Sequence, residues 1–206
     1  MKRLLGSVVL SVLGAALSSY AQDDNAQVVN TSIRNTGFEE PAIVAGSSSG
    51  AMATDWFIFC SSPDQRMGIT DSRKKSGMQS YQFRGQPGSS NAYQGIAQKF
   101  KARPNQHVVF SLYAMNDPLD PIAGTSYGQI SIEWQDATGV ELSRLYGPSW
   151  NTDSEPGRWQ KMTVDFDAPE GAAVGVVVIT FYSNEANGNG SCYVDDADMN
   201  SRLGAN

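Results

Sequence analysis

Two short acidic motifs lie far apart in the chain, Asn35-Thr36-Gly37-Phe38-Glu39 near its start and Tyr193-Val194-Asp195-Asp196-Ala197-Asp198-Met199 near its end. If the fold brings them together, their carboxylates repel unless a cation or a hydrogen-bond network compensates. Hard oxygen ligands of this kind suit calcium. Glu39, Asp195 and Asp196 are therefore candidate metal ligands, with exposed turn carboxylates as the alternative reading. Glu133 with Asp136 or Glu141 forms a second acidic group, and two carboxylates at controlled separation could do acid/base work. That arrangement is not distinctive. The single histidine, His107, stands at a strand entry, where a surface role outweighs catalysis. No serine lies in a nucleophile-elbow motif and no glycine-rich phosphate loop follows a strand. The reading is of a protein that does not catalyse.

The first residues speak to compartment. Lys2 and Arg3 precede an apolar stretch over residues 4–17, and Ser19-Tyr20-Ala21 offers small residues where a signal peptidase inspects the chain. Cleavage after Ala21 is expected, so the protein is secreted or periplasmic. The apolar stretch falls short of the ~20 residues that span a bilayer as a helix, and no membrane insertion is expected. Loss of Lys2 and Arg3 moves the net charge from -6 to -8, which argues against nucleic acid. The basic clusters Arg73-Lys74-Lys75 and Lys99, Lys101, Arg103 read as a solvated loop and a strand edge.

Two cysteines, Cys60 and Cys192, remain in an oxidising compartment, where an even count favours a disulfide. The bridge would close a loop of about 133 residues, equivalent to about 4 to 5 kcal/mol in the chain-entropy model. Two buried thiols are the alternative.

The elements that must position these groups are strands. Apolar residues fall in short runs of period two, rich in Val, Ile, Phe and Tyr and separated by turn residues. Candidate strands cover residues 33–38, 56–60, 79–84, 93–101, 108–116, 128–135, 159–166, 174–183 and 191–199. Nine strands with no repeat and no linker predict one all-β sandwich over residues 22–206. Asp136-Ala137-Thr138-Gly139 reads as a hairpin turn. Phe110, Leu112 and Ala114 should enter the core, as should Ile130, Ile132 and Trp134, leaving a polar face with Tyr113, Gln129, Ser131 and Glu133.

The order of landmarks resembles the carbohydrate-binding modules of the four, nine and twenty-two type. The landmarks are Asn35-Thr36-Gly37-Phe38-Glu39, Trp56, Ser76-Gly77-Met78-Gln79-Ser80-Tyr81-Gln82-Phe83, Phe110-Ser111-Leu112-Tyr113-Ala114, Ile132-Glu133-Trp134-Gln135-Asp136-Ala137-Thr138-Gly139, Trp159-Gln160-Lys161, Ala168-Pro169 and Tyr193-Val194-Asp195-Asp196. The resemblance implies a galactose-binding-domain-like β-sandwich jelly roll of two antiparallel sheets. It implies a structural calcium held by Glu39 and Asp195, with backbone carbonyls and a residue near Ser76-Gly77 completing the shell, and a polysaccharide or other glycan as partner. Sugar rings need aromatic platforms flanked by groups that donate and accept hydrogen bonds. Trp150, Tyr127 and Tyr146 sit in Gly-, Pro- and Ser-rich connections and are candidate platforms. Tyr113, Gln129, Glu133 and Asn116 are the expected polar lining. A cell-envelope protein partner, with the same sandwich acting in adhesion, is the competing reading.

Overall fold

Period-two alternation becomes ten strands in a computed structural model, which describes residues 32–46, 50–61, 66–86, 91–184 and 190–203. The leader expected over residues 1–21 lies outside the described residues. The strands are β1 (Phe57–Cys60), β2 (Met67–Thr70), β3 (Ser80–Arg84), β4 (Ala92–Lys101), β5 (Gln106–Asn116), β6 (Tyr127–Gln135), β7 (Glu141–Trp150), β8 (Gln160–Asp167), β9 (Val174–Ser183) and β10 (Ser191–Leu203). They form two five-stranded antiparallel sheets, β1-β4-β9-β6-β7 (sheet A) and β2-β3-β10-β5-β8 (sheet B). This is the expected all-β jelly-roll sandwich.

The core lies between the sheets and is strongly aromatic. Phe38 packs on Trp56 and Tyr81 with ring centroids 5.5 and 5.6 Å apart, Tyr81 meets Phe83 at 5.2 Å, and Phe100 meets Trp134 edge-on at 5.8 Å. Such pairs contribute about 0.5–1.5 kcal/mol beyond their burial. Phe110, Leu112 and Ala114 enter this core from sheet B, and Ile130, Ile132 and Trp134 enter it from sheet A. The alternation reads both faces correctly. The strands carrying them, however, belong to different sheets, so Tyr113 does not share a face with Gln129, Ser131 and Glu133.

Three segments depart from the sequence reading. Residues 33–38 form a turn, with Asn35 and Phe38 at positive φ (47° and 56°) and Phe38 N–H donating to the Asn35 carbonyl. Asn35 ties that turn down by donating to the carbonyls of Glu40 and Thr54. The four residues of β2 are too short to announce themselves. The third, β7, carries Gly147 and Pro148 and reads as a loop, but it is an edge strand, where a missing N–H can face away from the sheet. The hairpin turn at residues 136–139 forms as expected, with Asp136 Oδ1 accepting the N–H of Thr138 and Val140.

Candidate functional site

Antiparallel register decides which side chains share the outer face of sheet A. Residues directly opposed on neighbouring strands point the same way. Tyr93 of β4 faces Tyr182 of β9, which faces Tyr127 of β6. Tyr127 and Tyr182 stack with centroids 4.6 Å apart and planes 22° apart, and Phe59 of β1 reaches Tyr93 at 6.3 Å. An aromatic row thus crosses four strands at one end of the sheet. The tyrosines in it are only partly buried. Burial pushes the Tyr182 phenol up to about 12, and it raises Tyr127 too, with help from Tyr146. These hydroxyls therefore stay protonated and can donate as well as accept.

Beside the row lies a polar strip. Gln129 opposes Thr180 and Ser149, Ser131 opposes Val178 and Tyr146, and Glu133 opposes Val176 and Arg144. Glu133 is 1% exposed. Its Oε1 accepts from Gln135 Nε2 at 2.5 Å, and its Oε2 pairs with Arg144, whose Nε and Nη2 also grip Glu141 at 3.1 and 2.8 Å. Burial pushes the Glu133 carboxyl up while Arg144 and Gln135 hold it down, and burial wins. The guanidinium carbon sits 5.9 Å from the Tyr146 ring centroid. Glu133 and Glu141 thus share one guanidinium, and Asp136 is engaged in its turn. Toward β1, Phe59, Ala97, Val176 and Val178 form an apolar cluster on this same face.

The sequence-selected residues sort clearly. Tyr127, Gln129 and Glu133 come together on the outer face of sheet A. Tyr113 lies on sheet B, opposite Asp195 and Lys161, with Lys75 Nζ 4.6 Å from its ring centroid. Asn116 is buried and organises the loops after it: its Nδ2 donates to the Ser154 carbonyl at 3.1 Å and its Oδ1 accepts Ile122 N–H at 2.7 Å. Trp150, expected at a ligand-facing loop, ends β7 in the core at 1% exposure. Its indole lies so close over Gly128 that a Cβ there would collide with the ring. Tyr93, Tyr182, Phe59 and Arg144 went unselected, because only the register between distant strands places them beside Tyr127.

The two acidic motifs do meet. Ala197 N–H donates to the Thr36 carbonyl at 2.8 Å, beside a bulge between Asp195 and Asp198 in the β10–β5 pairing. All three candidate metal ligands converge on residues 75–79. Glu39 Oε1 accepts the N–H of Met78 and Gln79 at 2.9 and 3.2 Å. Asp195 accepts three amides: Lys75 and Ser76 at Oδ2, 2.8 and 3.2 Å, and Asp196 at Oδ1, 2.7 Å. Asp196 Oδ1 takes the Ser76 hydroxyl at 2.5 Å. Gly77, at φ 59°, lies against the Glu39 carboxylate, where a Cβ would overlap Oε1. Burial pushes Asp195 up to about 6 against the pull of its amide donors. Among the described residues, no three His, Cys, Asp or Glu side chains are grouped as a ready metal site.

The expected disulfide is corrected. Cys60 and Cys192 are both buried thiols, not joined to each other. Cys60 ends β1 in sheet A opposite Gln94, while Cys192 lies in β10 of sheet B opposite Phe83 and Asn116. A bridge needs its two Cβ atoms aimed at each other at close range, and the thiols on these strands of different sheets do not form one. Burial pushes the Cys192 thiol up to about 12.

No known protein family and no curated protein matches the chain. Solved structures do share its architecture. The carbohydrate-binding module TmCBM61, in complex with β-1,4-galactotriose, superposes with a TM-score of 0.52 at 11% identity over 84% of this chain and 99% of that one. A Stig cyclase from Fischerella sp. TAU gives 0.58 at 15% identity over 85% and 99%. The enzymatically active domain of tailspike protein 4 of bacteriophage CBA120 gives 0.54 at 14% identity over 78%, and this chain spans about a fifth (21%) of that one. At these identities the shared property is the jelly-roll fold, found in carbohydrate-binding modules and in catalytic domains alike.

Proposed function

We propose that this chain is an exported, non-catalytic glycan-binding module of the four, nine and twenty-two type, whose ligand lies across the strands on the outer face of sheet A. The carrying observation is the aromatic row Tyr93–Tyr182–Tyr127 beside Gln129, Ser149 and Tyr146. Flat rings and neutral donor–acceptor groups match a pyranose, which has polarised C–H faces and a rim of hydroxyls. The structure of TmCBM61 with a galactotriose, on the same fold, supports this reading. Glu133 and Glu141 serve the face by holding Arg144 against β6, in keeping with binding rather than acid/base chemistry.

Affinity electrophoresis against glucans, xylans and galactans tests the proposal. Retardation by one polymer, lost in Tyr182→Ala and kept in Tyr113→Ala, is the expected result. Release of reducing ends or unsaturated sugars would replace it with an enzyme. Absence of retardation by every polymer, with a cell-envelope protein recovered by pull-down, would favour the adhesion reading.

Calcium belongs to the same proposal as a structural ion. Glu39, Asp195 and Asp196 supply the donor type that calcium takes, and they surround one loop. When bound, the ion would neutralise these carboxylates and stabilise the fold by mass action. The residues themselves already join residues 35–39, 75–79 and 195–197 through amide donors, so the ion would add to a junction that hydrogen bonds have made.

A further inference from the structure

At the opposite end of β4 from the aromatic row, a groove of about 220 Å³ is lined by Lys101, Arg103, Gln106, Ser201, Arg202 and Leu203. It forms where β4 ends, β5 begins and β10 runs out. The turn between β4 and β5 is pinned there: Gln106 N–H donates to the Arg103 carbonyl at 3.2 Å, and Arg103 N–H donates to Gln106 Oε1 at 3.1 Å. With Oε1 occupied, the Gln106 amide has its Nε2 donor to offer. Leu203 and Arg202 of β10 pair with Gln106 and His107 of β5.

The chemistry of this groove is one-sided. Lys101, Arg103 and Arg202 bring three cations, Gln106 and Ser201 add neutral donors, and among the described residues no carboxylate lines it. Where the chain does pair its guanidinium groups with acids, Arg144 holds Glu133 and Glu141 and Arg158 holds Glu155, while the His107 ring takes Asp167 at 2.7 Å. Asp167 is the nearest acid to Arg202 along the register, and its contact goes to His107. Among the described residues no ion pair involves Lys101, Arg103 or Arg202. Three like charges around one groove, in a chain of net charge -6, create a local positive field against an acidic background, and a concave site concentrates such a field.

We propose that this groove is an oxyanion-binding site, distinct from the face of sheet A, that takes a sulfate, phosphate or carboxylate group. Tyr93 and Lys101 are eight residues apart on one strand, about 26 Å at ~3.3 Å per residue. One short oligosaccharide therefore does not cover both places. The shared chemistry has two sources, a free inorganic oxyanion or the acidic substituent of a polysaccharide, and the titrant separates them.

The test is amide and guanidinium chemical-shift titration of the full exported chain at constant ionic strength, with sodium sulfate, sodium phosphate and a chondroitin sulfate tetrasaccharide, and with sodium chloride as reference. Saturable shifts are expected at Arg103, Gln106 and Arg202, and Arg103→Gln with Arg202→Gln should weaken binding about tenfold or more, as loss of charge-assisted hydrogen bonds does. Lys74→Gln, which removes one cation from the other basic cluster, should leave affinity unchanged. Tighter binding of the tetrasaccharide than of inorganic sulfate identifies the polymer as source, and the reverse order identifies the free ion. Shifts that match chloride, or that persist unchanged in the double variant, overturn the site. Neutral-polymer retardation is read separately, so failure of the glycan proposal leaves a different signature.

Discussion

The outer faces of the two sheets are built from similar residues and end in opposite states. On sheet B, residues 75–79 lie against the strands and every carboxylate near them has a donor: three amides on Asp195, two on Glu39, the Ser76 hydroxyl on Asp196. Gln82 donates to the Tyr193 hydroxyl, which donates to Asp117. Lys75 covers Tyr113. On sheet A the tyrosines stack on one another and remain partly open. A polar network whose groups are matched internally holds the fold together, because any new partner must displace an existing one. Aromatic and amide groups that stay open are available for recognition. Tyr113 and Tyr127, both selected from the sequence, fall on opposite sides of that divide.

The sharpest way to break the comparison is to move a residue between its two halves. Trp150→Ala should lower stability by about 3–5 kcal/mol, the usual cost of removing a buried indole, visible as a lower thermal midpoint. Trp150→Phe should retain polymer retardation, which a ligand-contacting tryptophan would not allow. Arg144→Met comes next. It leaves Glu133 buried without its main counter-charge, and about 3–5 kcal/mol is lost at neutral pH where one partner of a buried pair is removed. The pH dependence has a definite sign. Burial already raises the Glu133 carboxyl, so its folded state favours the proton; that contribution is complete below the unfolded value of about 4.3 and is lost as pH rises through the folded one. Removing Arg144 raises the folded value further, so the penalty, measured by denaturant titration, should shrink as pH falls from 7 toward 4.

Smaller effects sharpen the contrast between an open and a closed face. Tyr182→Ala should weaken polymer binding about tenfold, near 1.4 kcal/mol, with little change in melting, while Tyr113→Ala should alter affinity less than about twofold. Chelator should lower the melting midpoint and Glu39→Ala should abolish that shift; a midpoint indifferent to both removes calcium from the account. Last, an aromatic disulfide reagent at pH 8 should find almost no reactive Cys192 in the native protein, whose thiol is pushed up to about 12, and two thiols after unfolding. A count of zero after unfolding would restore the bridge between Cys60 and Cys192.

Much of this was legible before any coordinates. Alternation located eight of the strands and the inward faces of β5 and β6, since side-chain direction in a strand depends only on the parity of position. It misread residues 33–38, where apolar residues and a buried Phe38 serve a turn, and it passed over β7, whose Gly147 and Pro148 resemble loop residues unless the strand is known to be an edge. Glu39 and Asp195 were selected as a pair through the resemblance to carbohydrate-binding modules, and their segments do meet, at the Ala197 N–H to Thr36 carbonyl contact.

Composition and spacing by themselves determined that this chain forms a β-sandwich and which faces of its strands are apolar. Tertiary structure decided that the two acidic motifs meet, that β5 and β6 lie in different sheets, that Trp150 fills the core rather than a ligand site, that no disulfide joins the cysteines, and that Tyr93, Tyr182 and Tyr127 form one row. The reason is physical: facing depends on a residue's own position, whereas a row across a sheet depends on pairing order and register between segments distant in sequence, which only the packed chain specifies.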